Sequence, residues 1–148
     1  MNKYFVSVSK LIDAPAQTIF DVIADPAMHP VIDGSGSVKK PLPGNPERLE
    51  LGAKFGMGMK MGKSYNMQNT VVEFDEGKMI TWKPQGDYVW RYIFEPQGNK
   101  TLVTEEWDAR RAKGRRIMAL LGFPRRNKRG MEQTLQRLEE LVKKSINS

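Results

Sequence analysis

The chain has 148 residues, with 24 Lys and Arg against 17 Asp and Glu, one histidine and no cysteine. That length suits one domain, residues 1–148, which can bury a full core without a metal or disulfide staple. The absence of cysteine excludes disulfides, thiolate catalysis and Cys-based zinc sites, and no apolar run approaches the roughly 18 residues of a membrane-spanning helix. The N-terminus alternates like a strand and lacks a long apolar stretch followed by a small-residue cleavage site, so a cytoplasmic location is expected.

In chain order, residues 3–12 alternate and predict a first strand, with Tyr4, Val6 and Val8 on one face. Asp13-Ala14-Pro15 opens a helix whose apolar face is Ile19, Phe20, Val22 and Ile23, because Pro in the first turn loses no hydrogen bond. Asp25-Pro26 repeats the signal, predicting a second short helix that Pro30 stops just after Met28 and His29. Gly, Pro and Ser dominate 33–52, with one short strand at 37–40. Alternating stretches follow at 53–61, 64–75, 78–83, 88–95 and 100–108, separated by turn signals such as Gly62-Lys63, Glu76-Gly77 and Gln97-Gly98-Asn99. They predict an antiparallel meander. Over 128–145, Met131, Leu135, Leu138 and Val142 fall on one face of an amphipathic helix. The whole is an α+β domain: a curved antiparallel sheet of six to seven strands around a long C-terminal helix, with two short helices after strand one. A single helix across a strongly curved sheet leaves a natural ligand cavity.

Ile12-Asp13-Ala14-Pro15-Ala16, Phe20-Asp21-Val22-Ile23-Ala24-Asp25-Pro26, Asn69-Thr70-Val71-Val72-Glu73-Phe74 leading to Ile80-Thr81-Trp82, and Trp90-Arg91-Tyr92 followed by the stretch ending Glu105-Glu106-Trp107 resemble, in order and spacing, the START/polyketide-cyclase (SRPBCC) superfamily of helix-grip proteins. The resemblance spans nearly the whole chain and is strongest to the polyketide cyclase/dehydrase and lipid-transport group. It implies the fold and a ligand cavity; one fold hosts many functions, so it does not imply a reaction.

The most unusual stretch is Phe55-Gly56-Met57-Gly58-Met59-Lys60-Met61-Gly62. Alternation puts Phe55, Met57, Met59 and Met61 on one face, and methionine adapts to apolar ligands of varied shape as readily as it fills a soft core. Across the next turn parity is open: a two-residue turn brings Asn66, Gln68 and Thr70 to the Met face, a longer one Tyr65 and Met67. Trp82, Trp90, Tyr92 and Trp107 lie on three later strands, and inward-facing they would stack a planar ligand; they would serve equally as core. With Met131 and Leu135 from the C-terminal helix, these residues are the candidate ligand wall.

Candidate proton movers are His29, Tyr65 and Glu105. A lone histidine is more often structural than catalytic, and neither a nucleophile motif nor a metal site can be assembled; no cofactor is called for. Glu73, Glu105 and Glu106 are candidates to pair with Arg91 across neighbouring strands. Nine of the 24 basic residues and no acidic one lie in 110–129, leaving the rest of the chain slightly acidic. Split by Ile117-Met118-Ala119-Leu120-Leu121-Gly122-Phe123-Pro124, this segment suits an anionic membrane surface or an acidic carrier protein, or a connector that caps the cavity. Charge this localised does not suit nucleic acid. The expected function is binding or transport of a small hydrophobic, lipid or polyketide-like molecule by a monomer or homodimer. The alternatives are a polyketide cyclase/dehydratase and an accessory protein acting through the basic face.

Overall fold

The computed structural model describes residues 2–147. Strand β1 (Phe5–Ile12) is followed by helix α1 (Ala16–Ile23), a 3-10 turn (Pro26–Met28) and helix α2 (His29–Ile32). Strands β2 (Val38–Pro41), β3 (Lys54–Met61), β4 (Lys63–Asp75), β5 (Met79–Pro84), β6 (Val89–Gln97) and β7 (Lys100–Asp108) come next, then α3 (Arg115–Leu120) and α4 (Phe123–Asn147). The seven strands form one sheet in the order β1-β7-β6-β5-β4-β3-β2, every neighbouring pair antiparallel. The sheet curves around α4 as a half-barrel, the helix-grip arrangement expected from the sequence.

Curvature has a local cause. The pairing of β4 with β5 shifts between Val71 and Glu73, so Val72 is an extra residue, and a bulge of this kind bends its strand and increases the twist. It also reverses the alternation. Asn69 and Val71 are buried on the concave side before the bulge, and Phe74 meets Phe20 from the same side after it.

Three boundaries differ from those read off the sequence. Pro30 does not stop the second helix; it lies in the first turn of α2, where its missing N–H is not needed. Helix α4 begins at Phe123 rather than near 128, because Pro124 is likewise tolerated in a first turn and Gly122, at φ 82°, ends the preceding α3. The β3–β4 hairpin is tighter than either turn considered: Met61 pairs with Lys63 across Gly62 alone, at φ 73°.

Met131, Leu135, Leu138 and Val142 of α4 are all buried against the sheet and α1, as their spacing predicts. The loop after α2 docks on the opposite flank of α4. Gly34 N–H donates to Thr134 Oγ1 at 2.9 Å, Thr134 Oγ1 donates to the Gly130 carbonyl at 2.9 Å, and Arg137 donates to the Asp33 carbonyl. This contact closes one wall of the space under the helix. A β-carbon on Gly34 would sit 2.4 Å from Gln133 Cβ and 2.6 Å from two α4 backbone atoms, neither of which can yield without moving the helix. Gly34→Ala should therefore lower the unfolding free energy by about 1–3 kcal/mol in urea titrations followed by tryptophan fluorescence. Gly114→Ala is the control: its added methyl meets nothing within 4 Å, and it should change stability by less than about 0.5 kcal/mol.

Candidate functional site: the cavity under helix α4

Between the concave face of the sheet and α4 lies a cavity of about 320 Å³. Strand β3 contributes Phe55, Met57 and Met59 to its wall, and β4 contributes Tyr65, Met67 and Asn69. The register explains this second set: Phe55 faces Asn69, Met57 faces Met67 and Met59 faces Tyr65, and residues paired across antiparallel strands share a face. The open parity is thus resolved toward Tyr65 and Met67, by a shorter turn rather than a longer one.

The far wall is aromatic. Trp82, Trp90, Tyr92 and Trp107 all line the cavity, with Trp90 paired to both Trp82 and Trp107. His29 stacks on Trp82 at 4.9 Å and Trp82 on Tyr92 at 5.5 Å, while Phe55 meets both His29 and Trp82 edge-on. Such ring pairs hold one another in place and present a rigid apolar surface. Of the predicted ligand wall only Leu135 falls outside: it is buried in the core and does not line the cavity, which Met131 reaches one turn earlier.

The three candidate proton movers, His29, Tyr65 and Glu105, line the same cavity. His29 is buried rather than superficial. Asp25 accepts from Ala27 N–H to start the 3-10 turn, and α2 then carries the imidazole inward, where Nε2 lies 2.8 Å from the Ile23 carbonyl. A carbonyl only accepts, so Nε2 holds the proton and Nδ1 its lone pair. Burial lowers the pKa of His29 below its ordinary value, against the raising effect of the Ile23 bond, and the ring is neutral at pH 7.

Glu105 sits on β7 opposite Tyr92, and only 5% of it is exposed. It does not join Arg91. Alternation sends Glu106 to the outer face, where Arg91 bridges Glu106 at 2.8 Å and Glu73 at 3.1 Å, and turns Glu105 inward. Burial pushes its pKa up to about 8, helped by the charge of Asp33 and opposed by a hydrogen bond with Tyr92. Its Oε1 has no hydrogen-bond partner. Burial and the neighbouring Glu105 raise the Tyr92 hydroxyl well above its ordinary pKa. At neutral pH the inward side chains of Glu105, Tyr92 and His29 are therefore uncharged.

Sequence reasoning did not single out Asn69, Tyr88, Phe123, Arg126 or the 33–38 loop, all of which line the cavity. Asn69 and Phe123 lay in motifs noted for other reasons; the loop has no periodicity to betray it. In the basic segment, Ile117, Leu120 and Leu121 are 64%, 86% and 64% exposed. They do not cap the cavity, whereas Phe123 and Arg126, stacked at 4.4 Å, stand at its wall. Among the described residues no group of three His, Asp or Glu side chains could hold a metal, and no helix is long and apolar enough to cross a membrane.

The folded state holds a proton on Glu105 between its ordinary pKa of 4.5 and about 8, where the unfolded chain has released it. Stability should therefore fall as pH rises through that window and level off above it, with a limiting slope of roughly 1 kcal/mol per pH unit. Neutral His29 acts oppositely, but only below its unfolded pKa of 6.5. Denaturant melts from pH 6.5 to 9 should show the decline in the wild type and a flatter profile in Glu105→Gln. Equal slopes would mean that Glu105 is ionised throughout.

Residues 5–143 match the family described as polyketide cyclase / dehydrase and lipid transport. An uncharacterized protein of Mycobacterium tuberculosis, Rv0088, is 33% identical over 144 residues, covering 91% of this chain; the chain spans 62% of that relative's length. Among solved structures, NE0264 from Nitrosomonas europaea superposes with a TM-score of 0.75 at 15% identity, covering 100% of this chain and 99% of its own. An AHSA1-like protein from Aeromonas hydrophila gives a TM-score of 0.71 at 14% identity, covering 95% of this chain and 93% of its own. The structural likenesses establish the fold, and the match over nearly the whole chain establishes the family: this protein belongs to the polyketide cyclase/dehydrase and lipid-transport family.

Proposed function

We propose that this chain is a single cytoplasmic ligand-binding unit that carries or sequesters a small, mostly apolar molecule in the cavity under α4. The observation that supports it best is the wall itself. Met57, Met59, Met67 and Met131 offer flexible, polarizable contacts opposite a rigid aromatic array, a pairing suited to a flat or polycyclic guest. Native mass spectrometry of protein purified from its own cells should release an apolar molecule of reproducible mass. A clean unliganded mass, unchanged by added fatty acids and polycyclic aromatics, would overturn the proposal. Met67→Trp, which extends a ring from a half-buried site into the cavity, should weaken binding at least about tenfold, or roughly 1.4 kcal/mol, while leaving the circular dichroism spectrum unchanged.

A second reading, cyclisation or dehydration of a polyketide-like chain, is favoured by one specific observation. His29, Tyr92 and Glu105 converge on the same cavity as the apolar wall, and a protonated carboxyl beside a neutral imidazole is a usable acid and base pair. Under that reading Glu105→Gln abolishes turnover of a supplied polyketide-like chain while binding persists; under the first there is no turnover to lose.

The basic segment supplies a way of approach for either reading. Exposed Ile117, Leu120 and Leu121 lie among nine cationic side chains in 110–129, the composition of a surface that rests on anionic lipid. The segment leads directly to Phe123 and Arg126 at the cavity wall. Sedimentation with phosphatidylglycerol vesicles should show salt-sensitive binding that falls several-fold in Ile117→Asp/Leu120→Asp. Binding that survives both high salt and the double substitution would exclude this face, and capture of an acidic carrier protein without vesicle binding would redirect it.

A further inference from the structure

The buried polar end of the cavity has a donor to spare. Glu105, protonated below a pH of about 8, and Tyr92 opposite it on β6 hold two O–H groups between them. Any hydrogen bond made between the two uses at most one of these. The other has no acceptor among the described residues: Oε1 of Glu105 is buried without a partner. A buried polar group left unpaired in this way is destabilising, and the cavity that Glu105 and Tyr92 both line is where an acceptor can arrive.

The charges facing this end decide what kind of acceptor fits. His29, across Trp82 from Tyr92, is neutral. Tyr88, from the loop before β6, is raised by burial and stays protonated near neutrality. Asp33, at the end of α2, presents a carboxylate that accepts from Ser35 Oγ, Gly36 N–H and Val38 N–H, and its negative charge already raises both Glu105 and Tyr92. The cationic side chains on the cavity wall are Lys60 on β3 and Arg126 on α4, both on partly or largely exposed stretches; Arg126 is engaged over the Phe123 ring. The inner end thus offers a neutral donor beside a fixed negative charge, with no buried cation to receive an anion.

We propose that the unpaired donor of the Glu105–Tyr92 pair receives an uncharged carbonyl oxygen, so that the cavity selects neutral ketone- or ester-bearing apolar molecules over carboxylates of the same shape. This rests on the ligand-binding reading and sharpens it: the guest is a neutral carbonyl compound with a flat apolar body, rather than a free fatty or aromatic acid. A carboxylate at the same place would lose its hydration without gaining a cation, beside the charge of Asp33.

Three probes of one shape test the proposal: 2-acetylnaphthalene, 2-isopropylnaphthalene and 2-naphthoate, titrated at pH 6.5 and read by quenching of Trp82, Trp90 and Trp107, which all line the cavity. The ketone should bind about tenfold tighter than the hydrocarbon, and the naphthoate weaker than either. Glu105→Gln keeps a donor and should retain the ketone preference; Glu105→Leu should lose it while still binding the hydrocarbon, which shows that its cavity is intact. Raising pH from 6.5 to 9.5 should remove the ketone preference of the wild type and leave that of Glu105→Gln unchanged, because His29, Tyr88 and Tyr92 do not ionise over most of that range. Equal affinity of ketone and hydrocarbon in the wild type, or a preference that persists in Glu105→Leu, overturns the inference and leaves the ligand-binding reading standing. Failure of all three probes to bind overturns both.

Discussion

One helix cannot fill the hollow of a seven-stranded half-barrel, and the rest of this structure follows from that mismatch. The sheet is bent by the bulge at Val72 and covered by α4, whose apolar stripe seats Leu135, Leu138 and Val142 against the strands and α1. Toward the start of the helix that stripe runs out. Past Met131 come Asn127 and Arg126, which cannot complete a core, and Phe123, which packs against it only partly buried; there the sheet's inner face is left uncovered. The hollow is sealed on one flank by the 33–36 loop, which lies this close to α4 because Gly34 has no side chain to hold them apart, while Gly130 spares a tight contact with Ser35. Close packing at one end and an open volume at the other are properties of the same helix.

Strand alternation sorts the charge. Glu105 and Glu106 are neighbours in sequence, yet one faces the hollow with no cation near it and the other forms half of an ion-pair cluster with Arg91 and Glu73 on the outside. A carboxyl on the outer face gains a guanidinium and water. On the inner face it has only a tyrosine hydroxyl, so it keeps its proton instead of its charge. The same economy acts on His29, held neutral by burial and by a backbone carbonyl that fixes its tautomer. The deeply buried polar side chains, Glu105, Tyr92 and His29, are thus uncharged, and the charges of Asp33, Lys60 and Arg126 stand on less buried parts of the wall.

The cationic surplus has a different logic. Several of these side chains are committed to local partners: Arg110 to Asp108 and the Phe5 ring, Arg115 to the Tyr4 ring and Arg126 to the Phe123 ring. Such stacking covers aromatic rings that would otherwise face water. Among the described residues Arg111, Lys113, Arg116 and Arg125 form no ion pair or ring contact of this kind; all four are exposed, close in sequence to the exposed apolar Ile117, Leu120 and Leu121.

Composition and periodicity alone determined the antiparallel meander, the apolar face of α4, the short helices after β1 and the aromatic and methionine content of the inner wall, because each is set by which residues recur every two or every three to four positions. Nine of the ten residues named as a candidate ligand wall line the cavity, Leu135 alone being core, since strand parity within one element is local information. What tertiary structure decided lies where one element must be placed against another. Gly62 alone at the β3–β4 tip put Tyr65 and Met67 inside, a matter of one residue in the turn; the Val72 bulge returned Phe74 to the concave side. Pro30 began a helix instead of ending one, and Pro124 came to lie in the first turn of an α4 that starts five residues earlier than its apolar spacing indicates, because a first turn has no use for the N–H that proline lacks. Whether Glu105 met Arg91 or Tyr92, and so whether it carried a charge or a proton, depended on the face it shared with strands more than ten residues away, and no count of residues along the chain contains that register.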